Sequence, residues 1–380
     1  MNVYVDSLAR ALGEAGVTVD VLARADDRNS GIVEVTDSYR VVHLDVGPRR
    51  SLHRGAWTSL IDPYTEAARS FIRANGDYDV LHAHYWLSGA IAHRLKHELD
   101  RPLVSTFHTL ALVKSAAGFS DDDTRAQIER DVVRCSDLML ANTRDEAEQL
   151  IGLYEADATR VEIVPPGVDH VAFSPVGDRN IDRAALGVEG HKVVLFAGRI
   201  QPLKGADVAI RLVAALKDPH VLLLLVGGPS GIDGERELRR LHALVDETGL
   251  ADQVRFVGPQ EHNALARYYR AADVCVVPSR TESFGLVALE AQSCGTPVVA
   301  SAVGGLRLAV DDHRSGVLVG CCDANNFVEP VRRILDDAAY REELARGAVA
   351  HAATFSWAIA AARLRRHYSD LTAREPVRCA

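Results

Sequence analysis

Val274-Cys275-Val276-Val277-Pro278-Ser279-Arg280-Thr281-Glu282-Ser283-Phe284-Gly285-Leu286-Val287-Ala288-Leu289-Glu290 is the stretch on which the fold turns. It begins as an apolar run, stops at a polar turn, and continues as a helix expected to reach about Cys294. An apolar run this short, ending in such a turn, reads as a buried parallel strand feeding a helix. The turn then lies at the carboxyl end of a strand, where open α/β sheets take their ligands. The leading N–H groups of the helix, from Phe284 through Gly285 and Leu286 to Val287, have no partner within it and carry the positive end of its dipole. A phosphate fits there. Glu282 in the turn and Glu290 two helical turns further on can both reach a ligand lying along the helix start. Amides for phosphate and acids for hydroxyls suit a sugar nucleotide.

The same alternation of strand and helix runs through the rest of the chain. On the carboxyl-terminal side of the middle, strands are expected at Val193 to Ala197, Val221 to Val226, Val254 to Val257, Val274 to Val277, Val298 to Ala300 and Gly316 to Val319. Helices fall between them, for example at Ala206 to Leu216, Glu235 to Glu247 and Asn263 to Ala271. On the amino-terminal side, strands are expected at Val17 to Leu22, Val41 to Val46, Val80 to His84, Leu103 to His108, Leu138 to Thr143 and Val161 to Val164. Such alternation implies mostly parallel sheets with helices on both faces. Pro165-Pro166-Gly167-Val168-Asp169 interrupts it, a hinge signal, and a loose stretch is expected to run to about Asp182. The reading is therefore α/β: two doubly wound, Rossmann-like domains facing across a cleft. They comprise residues 1–168 and 169–357, with residues 358–380 a helix packing back on the first domain. An α/β domain normally opens with a strand and a glycine-rich turn. This sequence begins at an amphipathic helix, Asn2 to Gly13, so the first strand of the domain is expected to be missing.

Composition narrows the function. A chain of 380 residues, 47% hydrophobic and 25% charged, can build two cores. Its net charge of −9 argues against a nucleic-acid partner. With no signal peptide and no apolar run near the ~20 residues a membrane helix needs, neither membrane insertion nor export is expected, and the cytoplasm is the expected location. Cys135, Cys275, Cys294, Cys321, Cys322 and Cys379 include no C-x-x-C pair and several sit in apolar runs, so they read as buried reduced thiols. The adjacent Cys321 and Cys322 offer poor metal geometry.

Phe196-Ala197-Gly198-Arg199-Ile200-Gln201-Pro202-Leu203-Lys204-Gly205 closes the first strand of the second domain. Gly198 lets backbone approach a ligand, and Arg199 with Lys204 puts two cations beside the strand end, where a diphosphate leaving group would develop charge. The rival reading is a solvated loop. Val226-Gly227-Gly228-Pro229-Ser230-Gly231 is another strand exit, weak alone, while Ala302-Val303-Gly304-Gly305-Leu306 reads most simply as a turn. In the first domain His82-Ala83-His84-Tyr85-Trp86 and Thr106-Phe107-His108-Thr109 end successive strands. His82 and His84 point the same way, as metal ligands can, but lack a third ligand and read as structural. Asp121-Asp122-Asp123 reads as a solvated loop, and no metal is assigned.

The pattern P-S-x-x-E-S-F-G-L-V-x-L-E-A, together with G-R-x-x-x-x-K-G, resembles the family 4 retaining glycosyltransferases, whose fold is GT-B. The resemblance implies that Gly198, Arg199 and Lys204 hold the donor pyrophosphate, Glu290 the nucleotide ribose and Glu282 the donor sugar hydroxyls. It implies for His108 a hydrogen bond to the donor sugar, and with Arg199, Lys204 and Glu282 a place in catalysis. No cofactor is implied, the donor being a UDP-sugar. Further segments extend the likeness over nearly the whole chain, among them His84-Tyr85-Trp86-Leu87-Ser88-Gly89, His108-Thr109-Leu110-Ala111-Leu112-Val113-Lys114 and Glu290-Ala291-Gln292-Ser293-Cys294-Gly295. They are similar to one subgroup, the D-inositol 3-phosphate N-acetylglucosaminyltransferases of mycothiol biosynthesis. That similarity implies an acceptor phosphate held by Arg54, Tyr85, Thr109 and Arg125, with Asn2 near the acceptor ring. Arg54 stands where the pattern has lysine, a planar fork in place of a point charge. A related enzyme of antibiotic pathways, acting on an aminocyclitol or thiol, and a catalytically impaired sugar-nucleotide binder stay open. The partners are small molecules, and a homodimer is compatible with all three readings.

Overall fold

The computed structural model describes residues 2–50, 52, 54–116, 118, 123–231, 233–320 and 322–379. They form two compact units. The first comprises Met1–Gly167 with Trp357–Ala380, and the second Val168–Ser356.

In the first unit the chain begins with the helix Asn2–Glu14 and then lays down β1 (Val19–Arg24), β2 (Gly31–Thr36) and β3 (Tyr39–Leu44). These make a small sheet ordered β1-β3-β2, with β2 antiparallel to β3. Four further strands, β4 (Leu81–His84), β5 (Leu103–Thr106), β6 (Leu138–Ala141) and β7 (Val161–Ile163), make a separate parallel sheet in that order. The expectation of one mostly parallel sheet is thus corrected. β2 was not foreseen because its face is turned to water: Ile32 and Val33 are 50% and 47% exposed, and the strand lacks a buried apolar run.

β5 and β6 are buried on both faces, and side chains alternate between them. Val104, Leu138 and Leu140 face the helices Asn2–Glu14 and Trp357–Thr372, packing with Leu8, Leu12, Trp357 and Leu364. Met139 and Ala141 face the other way, onto Val132, Val133 and Leu150. The helix Arg144–Tyr154 starts where Thr143 accepts a hydrogen bond from the Glu146 N–H and the Glu146 carboxylate accepts one from the Asn142 N–H. This reciprocal cap fixes the exit of β6.

The second unit has a single parallel sheet of β8 (Lys192–Ala197), β9 (Val221–Val226), β10 (Val254–Gly258), β11 (Val274–Val277), β12 (Val298–Ser301) and β13 (Gly316–Val319). Its order is β10-β9-β8-β11-β12-β13. Every strand is one the apolar runs predict. Val194, Phe196, Leu223, Leu225, Val274 and Val276 fill one core layer; Val193, Leu195, Leu222, Leu224, Cys275 and Val277 fill the other. A leucine buried as Leu223 is contributes roughly 2 kcal/mol. The expected loose stretch before β8 contains the helix Arg179–Leu186, capped by the Asp178 carboxylate on the Asn180 and Ile181 N–H groups.

Cys275 and Cys294 are buried free thiols. Cys135 is corrected: it is joined to Cys379, because the end of the helix Asp123–Cys135 meets the chain's last residues, 244 positions away. Cys322 is corrected as well, being exposed and disulfide-bonded, and Cys321 lies outside the described residues. Among the described residues, no helix is long and apolar enough to cross a membrane.

Candidate functional site

In the second unit the chain winds outward one way from β8 and the other way from β11, and these two strands are neighbours. Where the winding reverses, the loops after the carboxyl ends of the two strands part and leave room for a ligand. The β8 exit carries Gly198, Arg199 and the turn Pro202–Lys204, and the β11 exit carries Ser279 to Gly285. The two exits are stitched together. Arg280 N–H donates to Leu203 O at 2.8 Å, and its guanidinium reaches Pro202 O at 2.6 Å and both Asp207 carboxylate oxygens at 3.1 and 2.9 Å.

Across this seam Lys204 Nζ lies 2.6 Å from Glu282 Oε2, which also accepts from Ser279 Oγ at 3.2 Å. The pair is partly open, with side-chain exposures of 20% and 16%. Arg199 is exposed and has no ion-pair partner among the described residues. The helix Leu286–Ser293 begins after Gly285 with no side chain capping it, so its first amides stay directed at whatever occupies the turn. Phe284 itself is buried in the core and offers the site only backbone. The Gly304-Gly305 loop, expected to be a mere turn, supports that backbone: Gly305 N–H donates to Glu282 O at 3.0 Å, and a Cβ on Gly305 would lie 2.3 Å from Phe284 Cα.

Glu290 is 6% exposed and is oriented by two residues that no motif announced. Tyr269 donates its hydroxyl to Oε2 at 2.9 Å, and His262 Nε2 stands 2.8 Å from Oε1. A carboxylate has about four lone-pair positions, so acceptor capacity is left for a ligand. A separate cavity of about 480 Å³, lined by Arg179, Arg270, Asp273, Thr296, Pro297 and Arg341, opens before β11 and β12. It lies at the amino ends of the strands, away from these groups.

In the first unit the exits of β4 and β5 sit side by side, with Tyr85 N–H donating to Thr106 O at 2.8 Å. Tyr85 (φ 81°, ψ 157°) and His108 (φ 62°) both have positive φ. The Tyr85 conformation is one that glycine almost alone adopts, and holding a side chain there costs about 1–3 kcal/mol. Such outliers gather at functional sites. His84 Nδ1 and His108 Nε2 are 3.1 Å apart, and His82 bridges Tyr368 Oη at 2.7 Å and Thr106 Oγ1 at 2.9 Å. The Tyr4 ring meets His108 edge-on with centroids 4.7 Å apart.

Thr109, Tyr85 and Arg125 are brought together. Arg125 donates to Thr109 O at 2.6 Å and to Thr109 Oγ1 at 3.0 Å, and its guanidinium lies 5.0 Å from the Tyr85 ring centroid. Only 2% exposed, it also pairs with Glu129 at 2.7 Å. Glu129 accepts in turn from Ala111 N–H at 2.9 Å and from the Tyr154 hydroxyl. This buried carboxylate is a second feature the motifs did not show; the R-x-x-x-E spacing in one helix was its signal. Asn2 is exposed at the start of its helix. Arg54 opens a 3-10 turn, Arg54–Ala56, and its side chain lies outside the described part, as do Asp121 and Asp122.

Burial pushes the His84 imidazole down to about 4 and those of His82 and His108 well below the ordinary range, so all three are neutral near pH 7. Unfolded histidines take up protons near pH 6.5. Between that pH and about 4 the unfolded chain binds more protons, and stability falls with falling pH. Glu146 acts oppositely, since burial lifts its carboxyl to about 7, but it is one group against three. Acidification from pH 7.5 to 5 is expected to lower the Tm of the first unit by several degrees, on the order of 2 kcal/mol. Thermal melts across that range check it, and a flat or rising Tm contradicts it.

Comparison with known proteins joins these observations. The family described as "Glycosyltransferase Family 4" matches residues 1–171, and "Glycosyl transferases group 1" matches residues 178–350. A protein of Catenulispora acidiphila named D-inositol 3-phosphate glycosyltransferase 1 is 44% identical over 96% of this chain and 89% of its own length. Among solved structures, sucrose-phosphate synthase from Thermosynechococcus elongatus aligns with a TM-score of 0.89 at 34% identity, covering 98% of this chain and 93% of that one. Alr3699/HepE of Anabaena, in complex with UDP-glucose, aligns with a TM-score of 0.77 at 21% identity over 93% and 100% of the two chains, a likeness of fold.

Proposed function

From the premise that the chain belongs to the family 4 glycosyltransferases, with the two Rossmann-like domains of the GT-B fold, we propose that it moves N-acetylglucosamine from UDP-N-acetylglucosamine to 1D-myo-inositol 3-phosphate with retention at the anomeric carbon. The relatives' name supports the inositol phosphate acceptor, and the UDP-glucose seated in HepE supports a UDP-sugar donor. The observation that carries the acceptor assignment is the meeting of Thr109, Tyr85 and Arg125 at adjoining strand exits. A threonine hydroxyl held by a buried guanidinium, beside a phenol from a separate element, suits an anion.

In this reading the donor diphosphate lies against Arg199, Lys204 and the amides at Phe284 to Val287. Glu290, aimed by Tyr269 and His262, accepts from the ribose hydroxyls. Glu282 releases part of its hold on Lys204 to accept from the sugar, and His108 binds a sugar hydroxyl. Arg125 is a positioning residue here: its guanidinium is committed to Glu129 and Thr109, and it holds the threonine toward the phosphate. Arg54 supplies a further cation, and Asn2 meets the acceptor ring. No enzyme nucleophile is needed. As the anomeric carbon–oxygen bond breaks, negative charge grows on the diphosphate, where the two cations stabilise it. A diphosphate oxygen takes the acceptor hydroxyl's proton, and the new bond forms on the same face.

The test is a mass-spectrometric product assay with a small panel of donors and with inositol and inositol 3-phosphate as acceptors. Inositol is expected to react with kcat/KM lower by roughly 10²–10³-fold, the effect of leaving a charged site unfilled. Equal rates for the two acceptors overturn the assignment and favour an aminocyclitol-type acceptor.

A further inference from the structure

Away from the transferase residues, four side chains with strong metal affinity converge on one point of the first unit. His93 and His97 lie one turn apart on the helix Trp86–Leu99, so both rings leave the same face. Cys135 ends the helix Asp123–Cys135 and is fully buried, and Cys379 arrives from the C-terminal tail. His93 Nε2 is 3.1 Å from Cys379 Sγ, and His97 Nε2 is 3.1 Å from Cys379 Sγ and 3.2 Å from Cys135 Sγ. One donor atom from each of the four residues falls within 4.8 Å of every other.

The two sulfurs are joined as a disulfide, but a disulfide does not account for the imidazoles. Two sulfurs bonded to each other need no nitrogen ligand, yet both rings present Nε2 to the sulfur pair. Two thiolates and two imidazoles are a complete donor set for tetrahedral zinc, with bonds of about 2.3 Å to sulfur and 2.0–2.1 Å to nitrogen. Those lengths place neighbouring donors of a tetrahedron about 3.3–3.8 Å apart. The nitrogen–sulfur distances here reach that range after an outward shift of a few tenths of an ångström, and the two sulfurs, bonded to each other in the oxidised chain, must part by roughly 1.7 Å once reduced. Thiolates also select zinc over magnesium or calcium.

The surroundings hold the donors in place. Lys96, 1% exposed, donates to Cys135 O at 2.7 Å and to Asp137 Oδ2 at 2.6 Å. The other oxygen of Asp137 accepts from Val377 N–H at 2.5 Å, so one carboxylate anchors the segment after Cys135 and the tail just before Cys379. The cysteines are delivered by parts of the chain that are already fixed, which lowers the cost of closing round an ion.

We propose that in the reduced chain His93, His97, Cys135 and Cys379 bind one Zn²⁺ in a closed, structural site that fastens the C-terminal tail to the first unit. Four protein ligands leave no position for substrate, so the ion takes no part in sugar transfer. Because the site exists only in the folded chain, zinc stabilises that state by mass action.

The experiment uses the full chain kept reduced with a phosphine and freed of metal, titrated with Co²⁺ as the spectroscopic probe and then with Zn²⁺. Expected are thiolate-to-cobalt charge transfer and intense visible bands of tetrahedral cobalt, saturating at one equivalent and abolished by zinc. Zinc is then retained at one per chain through dialysis, and the first unit melts at a higher temperature. Cys379→Ser is expected to lose about half the charge-transfer intensity. His97→Ala leaves both cysteines intact and is expected to lose the dialysis-stable zinc with an unchanged far-ultraviolet spectrum. No tetrahedral cobalt spectrum in the parent, or the same spectrum and zinc content in His97→Ala, overturns the proposal. So does recovery of a Cys135–Cys379 disulfide from zinc-loaded, reduced protein by differential alkylation.

Discussion

Lys204→Ala is expected to lower kcat by roughly 10²–10³-fold while changing the KM for the acceptor by less than about threefold. The ammonium sits at the β8 exit against Glu282, among the residues proposed for the donor. Its value to the reaction grows as charge leaves the anomeric centre for the diphosphate, and that dependence is what a kcat effect reports. Folding does not explain such a loss, because removing one partner of a pair only partly open to water costs about 1–3 kcal/mol and leaves the unit folded. The Tm is therefore expected to move by only a few degrees. Lys204→Arg should recover part of the rate, since it restores charge but not the shape of a point donor. Steady-state kinetics with both substrates varied decide the matter. A kcat within about threefold of the parent removes Lys204 from the chemistry.

Gly227→Ala is expected to destabilise the second unit by about 3–5 kcal/mol and to lower its melting transition by on the order of 10 °C. Gly227 has φ 145° at the end of β9, and a Cβ there would lie 1.8 Å from Gly198 O. Both partners are backbone, so the only relief is to force β8 and β9 apart where they carry Arg199 and the donor loop. Gly249→Ala serves as the control: it shares a positive φ of 68° but has nothing within 4 Å, and should cost only about 1 kcal/mol. Circular dichroism melts of the two variants give the comparison. Equal Tm values would show that the close approach is not what matters.

How much of this could be read from the sequence depended on whether a feature was local. β8, β9, β11 and β12 were legible because each is a short apolar run buried almost throughout, and the edge strands β10 and β13 because they too are short apolar runs, unlike the amphipathic helices between them. β2 was not, because an exposed antiparallel strand has no such run. Lys204 and Glu282 were each legible as strand-exit residues. Their pairing across 78 positions was not, since it depends on β8 and β11 being neighbours. His262 and Tyr269 carry no motif and matter only through the carboxylate they orient. Cys135 and Cys379 misled the reading for the same reason, because no spacing rule connects residues 244 apart. Arg125 was expected at the acceptor phosphate; its contact with Thr109 and its burial against Glu129, and hence its proposed indirect part, needed three dimensions.

The helix Trp357–Thr372 belongs to the first unit although the second unit precedes it in the chain. This has a consequence for biosynthesis. The second unit is one unbroken segment and can close as soon as it leaves the ribosome. The first cannot, because Leu8 and Leu12 wait for Trp357 and Leu364 to cover them. Between the emergence of Gly167 and that of Leu364 lie 197 residues, the difference between 364 and 167, or roughly 10–40 s of translation. For that interval the nascent amino-terminal half shows an uncovered apolar face, and the part made first is the part finished last.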